Sequence, residues 1–456
     1  MTATLFTVSI DQTSVLSGLT AIRSGLGVAL PWVAWVVAGY SLGQMIALPT
    51  AGLFGARFPR KRIFLIAVAV FAVTGCAAAG AGNIYELIAC RTIQGFAYGT
   101  LVPTATGIVS HYYGAGRKRA IALFTSAITT GAIIGPAVGS AVVLGPGWRA
   151  LFLVSVLPLA LAFAAGTALI GHTGAPGAAK ALDVPGVLLL AATVLTATLA
   201  ITVLGKGELP LAIMLALLAG PGVWLILRRS RRHCAPLIPA ALLTGRHFGA
   251  LNLTNLLFGA AAIGSNAMVP TYAQLRYGLG AAAAGTLLTV RAIGMAGSST
   301  VTSLLIRRYG SRRPALAGLA GLVAGLLILV LPPPLGLPHY PWLLAAAGLS
   351  GVCAGLAAPG ITVALLHVAP AQTATITGMR SMFRQTGSIL AVSLTAAVAG
   401  LSADQGAAQA CAFAVLAGLA ALAFLFLRTV PEDAPADEAG NAEAGHEETG
   451  QAARAA

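Results

Sequence analysis

Residues 5–19 read "LFTVSIDQTSVLSGL", an apolar run with one carboxylate, Asp11, at its middle. In water that placement is ordinary. Inside a bilayer an ionisable group is costly, and where one is kept it marks function. The composition around the run decides between the two. Of 456 residues, 57% are hydrophobic and 9% charged, with a mean hydropathy of +0.88. Soluble domains carry about 25% charged residues, so this is the composition of a membrane protein. A spanning helix takes roughly 20 mainly apolar residues. The chain divides into about fourteen such blocks, from one centred near Ser14 to one near Gly418. Each has to be helical, because lipid offers no partner to backbone N–H and C=O groups. The expected fold class is therefore an all-α polytopic membrane protein.

The formal net charge of +15 invites a nucleic-acid reading, but its distribution excludes it. With the N-terminus in the cytoplasm and alternating spans, the inner joints collect Arg57, Arg60, Lys61 and Arg62; Arg117, Lys118 and Arg119; Lys180; five arginines between Arg228 and Arg246; and Arg307, Arg308, Arg312 and Arg313. Arg428 and Arg454 follow in the tail. The outer joints hold Arg23, Arg149, Lys206 and Arg276, so the count is nineteen inside against four outside. That asymmetry is the positive-inside signature. It predicts a multi-pass protein of the cytoplasmic membrane with both termini inside, its partner the lipid bilayer rather than nucleic acid. The five cysteines are odd in number and scattered, and His and Cys never cluster at ligand spacing, so no disulfide framework, metal site or cofactor is expected. No cleavable signal peptide is expected either, since a basic n-region and a small-residue cleavage site are missing. The acidic, small and polar stretch 431–456 reads as a disordered cytoplasmic tail.

Five charges fall within spans: Asp11, Arg91, Arg291, Arg380 and Arg384, with Glu86 at the outer edge of the fourth span. Thr7, Asp11, Ser14 and Gly18 recur at helical spacing, a polar stripe expected to face a water-filled cavity. Arg91, Gln94, Gly95 and Tyr98 share a face in the fourth span. Arg291 stands near mid-span, whereas Arg380 and Arg384 either line a cavity or snorkel to the inner interface. In "GAIIGPAVGS" (131–140), Gly131, Gly135 and Gly139 stack into one groove beside Pro136. The groove serves either a specialised contact or ordinary helix packing, and spacing does not separate the two.

"GAIIGPAVGS" resembles the antiporter motif of the major facilitator superfamily, and other matches follow in order. "LIACRTIQGFAYGT" (87–100) resembles its fourth-span motif, with Arg91, Gln94 and Gly95 in the matching places. "IDQTSV" (10–15) resembles the first-span motif of the fourteen-span drug:proton antiporters of the EmrB/QacA type. "WVVAGYSLGQMIALPTAGLFGARFPRKR" (35–62), "GWRALFLVSV" (147–156), "LDVPGVLLL" (182–190) and "MRSMFRQTGSILAVSL" (379–394) are similar to later segments of that family. There are departures. In the gate loop between spans two and three, Gly52, Arg57, Arg60, Lys61 and Arg62 match, but Ala56 stands for the acidic residue and Pro59 for a later glycine. In the first span, Leu16 and Thr20 stand for the family's Asn and Pro, and that span is short at its N-terminal side, as a misplaced start codon would make it.

The resemblance implies a major facilitator fold of about fourteen transmembrane helices: six-helix bundles over 1–170 and 233–430, with a cytoplasmic joint and two extra central helices over 171–232. It implies a monomer that is not an enzyme and that exports small organic compounds in exchange for protons by alternating access. Asp11 becomes the proton carrier, subject to the opposing influences of burial and a nearby arginine. Arg91 becomes its partner and Glu86 a secondary acid. Spans one, four, nine and twelve are expected to line the cavity. Tyr40, Gln94, Tyr98, Asn252, Asn255, Phe258 and Asn266 are its expected substrate contacts, and they suit an amphiphile in a mainly apolar pocket. One deep carboxylate against four arginines points to a neutral, zwitterionic or anionic compound. Proton-driven uptake on the same fold and a non-transporting membrane sensor are the alternatives, because fold alone does not decide function.

Overall fold

A chain that must satisfy every backbone group internally forms helices, and among the described residues of the computed structural model no strand occurs. Those residues are 1–112, 117–171, 183–232, 246–333, 337–368 and 373–429. The expectations resting on Lys180 and on the tail from residue 430 lie outside them, as do the side chains at Gly52, Ala56, Arg117, Lys118, Arg246 and Arg307. The first helices are α1 (Thr2–Leu26), the short α2 (Leu30–Val33), α3 (Trp35–Arg57), α4 (Arg60–Ala79), α5 (Ile84–Tyr112) and α6 (Arg117–Leu144). A 3-10 turn (Trp148–Phe152) leads into α7 (Val156–Leu169), then α8 (Val184–Leu204) and α9 (Leu209–Arg232). Next come α10 (Arg246–Phe258), a π turn (Gly259–Gly264) and α11 (Ser265–Tyr277) in one continuous rod. The chain continues through α12 (Ala281–Tyr309), α13 (Arg312–Val330), α14 (His339–Val368), α15 (Thr373–Gly400) and α16 (Gln405–Arg428).

Helix ends are set by local chemistry. Gly27 and Gly278 take left-handed conformations (φ 63° and 64°) and stop α1 and α11. Asp183 caps α8 by accepting from Gly186 N at 2.9 Å, and Asp404 caps α16 by accepting from Ala407 N at 2.9 Å. Each capping carboxylate also holds an arginine of another helix. Arg229 reaches Asp183 at 2.7 Å and Arg276 reaches Asp404 at 3.1 Å.

Among the described residues, nine helices are long and apolar enough to cross a membrane: α3, α4, α6, α7, α8, α9, α13, α14 and α16. The long segments missing from that set are α1, α5, α10–α11, α12 and α15. They carry Asp11, Arg91, the asparagines, Arg291 and the Arg380/Arg384 pair. The shortfall against the fourteen expected spans is thus confined to the helices that hold polar groups. A hydropathy average penalises those groups wherever they point.

Packing follows one scheme twice. α3 lies against α5, α1 against α6, and α4 against α5 and α7. In the later part α12 lies against α14, the π turn and α10 against α15, and α13 against α14 and α16. The two parts meet through α6 with α12 and α3 with α15, while α8 rests on α3 and α15 and carries α9 on its outside. α9 leaves Leu217 and Trp224 exposed, as suits a helix against lipid. The closest approach is between α3 and α5, where a Cβ on Gly95 would run into the Tyr40 backbone and one on Gly43 into that of Thr92 and Phe96. Glycine there lets two backbones touch.

One substitution at two sites tests this packing. Gly95→Ala is expected to cost about 1–3 kcal/mol through overpacking. Gly418→Ala, whose added Cβ meets nothing within 4 Å, is expected to be neutral or to gain up to about 1 kcal/mol of helix preference. Unfolding midpoints of the detergent-solubilised variants check the opposite signs, and equal midpoints would contradict the packing.

Candidate functional site

α1 begins almost at the start of the chain and runs along α6. Two hydroxyls tie it there: Ser9 Oγ donates to the Ile128 carbonyl at 2.7 Å and Ser17 Oγ to that of Pro136 at 3.1 Å. The glycine groove makes this possible, because a Cβ on Gly131, Gly135 or Gly139 would collide with α1 at Phe6, Thr13 or Ser14. The antiporter-like stretch therefore seats the helix that carries Asp11.

Asp11 and Arg91 are each 1% exposed. Arg91 Nη1 on α5 donates to Asp11 Oδ1 at 2.7 Å and to Gln94 Oε1 at 3.0 Å. Ser155 Oγ, just ahead of α7, donates to Asp11 Oδ2 at 3.1 Å. The guanidinium also lies 4.3 Å from the centre of the Tyr40 ring on α3, a cation–π contact. Four elements thus converge on one buried charge pair in which both carboxylate oxygens accept a hydrogen bond, and such satisfaction is what lets a charge pair tolerate burial. Sequence reading supplied Asp11, Arg91, Gln94 and Tyr40. It missed Ser155, although that residue lies inside the quoted stretch 147–156.

Beside the pair is a cavity of about 310 Å³. Tyr40, Ser41 and Arg91 line it from the first part of the chain, together with Gln12 and Thr13 of α1 and Pro136 of α6. Asn266, Arg291, Met295, Arg384, Gln385 and Ser388 line it from the second. The placement corrects two expectations. The stripe Thr7, Asp11, Ser14 and Gly18 faces protein rather than the cavity: Arg91 and Ser155 donate to Asp11, a Cβ on Gly18 would meet Leu151, and Gln12, Thr13 and Leu16 are the cavity face of α1. The second side of the cavity comes from the expected ninth span (Ala262, Ile263, Asn266 and Ala267) together with α12 and α15, which take the place expected of α14. Gly351 and Gly355 let α14 nestle behind α12, against the backbone of Arg291 and Met295.

The remaining expected residues are distributed as follows. Tyr98 is buried, its ring 6.0 Å from that of Tyr40. Asn252 and Phe258 are buried outside the cavity lining, and Asn255 Nδ2 donates to the Arg380 carbonyl at 2.5 Å. Arg380 Nη1 donates to Thr362 Oγ1 at 2.8 Å. Glu86 is exposed at the start of α5, accepting from Gly82 N at 2.9 Å and Asn83 Nδ2 at 2.6 Å, while its own N–H donates to Asn83 Oδ1. That is a reciprocal helix cap, remote from the Asp11 network. In the gate loop, Arg60 Nη1 donates to the Gly107 carbonyl at 3.0 Å and Lys61 Nζ to that of Thr167 at 2.8 Å, while Arg57 and Arg62 are exposed.

Comparison with known proteins adds a family. The Major Facilitator Superfamily matches residues 1–391 and, in a second match, 251–453. The tetracenomycin C resistance and export protein of Streptomyces glaucescens is 28% identical over 380 residues, 81% of this chain and 69% of that protein. A methylenomycin A resistance protein of Bacillus subtilis is 26% identical, covering 92% of this chain and 90% of its own length. Among solved structures, a peptide transporter, POT, in complex with sulfate superposes with a TM-score of 0.69 at 16% identity, covering 94% of this chain and 93% of that one. The nucleoside transporter NupG gives 0.65 at 16% identity, with 94% and 99% covered. At such identities the structures speak for the fold alone. With the family match spanning nearly the whole chain, the protein belongs to the major facilitator superfamily and is a multi-pass membrane transporter rather than an enzyme.

Proposed function

We propose that this transporter exports small amphiphilic organic compounds across the cytoplasmic membrane in exchange for protons. Among its relatives are a protein named for tetracenomycin C resistance and export and two named for methylenomycin A resistance. The observation that carries the reading is the Asp11–Arg91 pair, buried beside a cavity that both parts of the chain line. Residues 1–170 and 233–430 form the two six-helix bundles, α8 and α9 are the extra pair of a fourteen-span, EmrB/QacA-type layout, and both termini lie in the cytoplasm. The protein acts as a monomer, with no cofactor. The repeated packing scheme supports the bundle assignment, and the positive-inside count supports the orientation.

The coupling follows from what a proton does to the pair. With Asp11 ionised, a charge-assisted bond joins α1 to α5 and the Ser155 hydroxyl joins α1 to the segment before α7. Protonation removes the carboxylate's charge and with it the ion-pair attraction, leaving the Arg91 guanidinium bonded to a neutral carboxyl. The relative stability of two helix arrangements then depends on whether the proton is aboard, and a proton gradient shifts the population between them. The cavity wall moves with those helices, since Gln12 and Thr13 adjoin Asp11 in sequence and Arg91 is itself wall. Rocking of one bundle against the other presents the cavity to each side in turn.

The deciding experiment is collapse of a pH gradient in everted vesicles on addition of neutral, anionic and cationic amphiphiles. Wild type is expected to release protons from the lumen with some member of the panel, and Asp11→Asn to release none while remaining in the membrane. An active Asp11→Asn variant would remove the proton-carrying role from this residue. Glu86 is tested alongside it. If it acts as a secondary acid, Glu86→Gln alters the pH profile of export. If it acts only as the observed cap, Glu86→Gln, which keeps an acceptor oxygen, leaves export unchanged, while Glu86→Ala lowers stability by about 1 kcal/mol, read as a lower unfolding midpoint.

A further inference from the structure

The central cavity contains more positive charge than its surroundings answer. Arg291 is 3% exposed. Its Nη2 donates to the Ala262 carbonyl and to Ser265 Oγ, both at 2.8 Å, while Nη1 is buried without a partner. Arg384 lines the same cavity; its Nε is buried without a partner, and no hydrogen bond joins its side chain to a described residue. No carboxylate stands among the described lining residues, and Asp11, the nearest acid by sequence, is committed to Arg91 and Ser155. Buried charges are ordinarily paired, so a buried guanidinium and a half-buried one that share a cavity without a carboxylate leave a place for an anionic partner.

The fold builds this arrangement deliberately through the π turn. Gly259 lets the turn approach the backbone of Arg384, and Gly264 does the same against Ala391 on α15. Within the turn, Ala262 presents its carbonyl to Arg291 on α12. One irregular turn thus braces α12 and α15 so that an arginine from each reaches the same space, and π turns of this kind recur at functional sites. The rest of the wall suits an organic body. Leu16, Val37, Ile263, Leu288 and Met295 are apolar, and Gln12, Asn266 and Gln385 offer neutral hydrogen bonds. The volume of about 310 Å³ falls at the small end of ligand sites.

We infer that the exported substrate is an amphiphilic organic acid whose anionic group sits between Arg291 and Arg384. This deepens the export reading and rests on it. It also suits the energetics: a cytoplasm-negative membrane potential drives an anion outward while it draws a proton inward, so both halves of the exchange run downhill.

Three probes that share one ring system and differ in head-group charge test the inference: naphthalene-2-carboxylate, naphthalene-2-carboxamide and 2-naphthylmethylammonium. Binding is read first, without any gradient, as ligand-dependent thermal stabilisation of the purified full-length protein. The carboxylate is expected to bind best, and Arg291→Gln and Arg384→Gln each to weaken it roughly tenfold or more while leaving the carboxamide unchanged. Arg384→Gln removes no hydrogen bond seen in the fold, so it keeps the test open should Arg291→Gln fail to fold. Equal binding of carboxylate and carboxamide, preference for the ammonium, or an unaltered carboxylate affinity in both variants would overturn the inference. Proton release in energised everted vesicles is the second reading. Arginine-dependent binding of the carboxylate with no proton release by any probe would sink the export reading and leave the anion site standing. Proton release by the carboxamide or ammonium, with no carboxylate binding, would do the reverse.

Discussion

A carboxylate and a guanidinium 2.7 Å apart, both shielded from solvent, set the terms for the first part of the chain. Neither charge is stable there alone; stranding one partner of a buried pair costs about 3–5 kcal/mol in soluble proteins. The helices that carry them must therefore be held in register. α1 is seated on α6 by the glycine groove and two serine hydroxyls, and α5 is locked to α3 by backbone contact at Gly95. Phe152 of the 3-10 turn approaches the same guanidinium, 5.8 Å from its ring centre, and Ser155 completes the carboxylate. Around this pair, small residues stand where backbones close on a charge.

The second part of the chain handles charge differently. Around the cavity, Arg291, Arg380 and Arg384 have no carboxylate partner among the described residues. Arg291 is met by a backbone carbonyl and a hydroxyl, and Arg380 by the Thr362 hydroxyl. Neutral oxygens stabilise a guanidinium less than a carboxylate does, which leaves spare donor capacity facing the cavity. The contrast between a satisfied pair on one side and unsatisfied cations on the other gives the cavity a polarity that neither half has alone. Under the proposed function, protonation and substrate recognition fall to different helices, α1 with α5 and α12 with α15, around one space.

The links between the two parts mix apolar and polar contacts, and Met382 and Ile389 of α15 join Trp35, Leu42 and Met45 of α3 in one buried cluster. Gln385 of α15 hydrogen-bonds Gln44 of α3, and Thr386 lies 3.4 Å from the Met45 sulfur. At the far end Arg23 Nη1 donates to Gln405 Oε1 at 2.8 Å. Glycine brings helices close across this boundary as well, Gly285 of α12 lying against Pro136 and Ser140 of α6. In the gate loop, without an acidic residue at Ala56, Arg60 and Lys61 find the carbonyls of Gly107 and Thr167, both neutral acceptors.

Much of this was legible in the sequence, because the bilayer is a severe solvent. Apolar blocks of spanning length, the nineteen-to-four bias of basic residues and the motif series around Asp11, Arg91 and "GAIIGPAVGS" determined an all-helical membrane transporter and singled out its buried charges. Those are properties of composition and spacing, and they survive without coordinates. What faces what was decided only by the tertiary structure. The stripe through Asp11 turned toward Ser155 rather than the cavity, α12 and α15 displaced α14 from the cavity wall, and Glu86 proved to be bonded as a helix cap. A helical repeat tells which residues share a face, but the partner of that face is chosen by glycine-mediated contacts between segments far apart in the chain. The π turn at Gly259–Gly264 is the clearest case. Its sequence, "GAAAIG", reads as plain apolar helix, and only the approach of α15 on one side and Arg291 on the other shows why the turn is there.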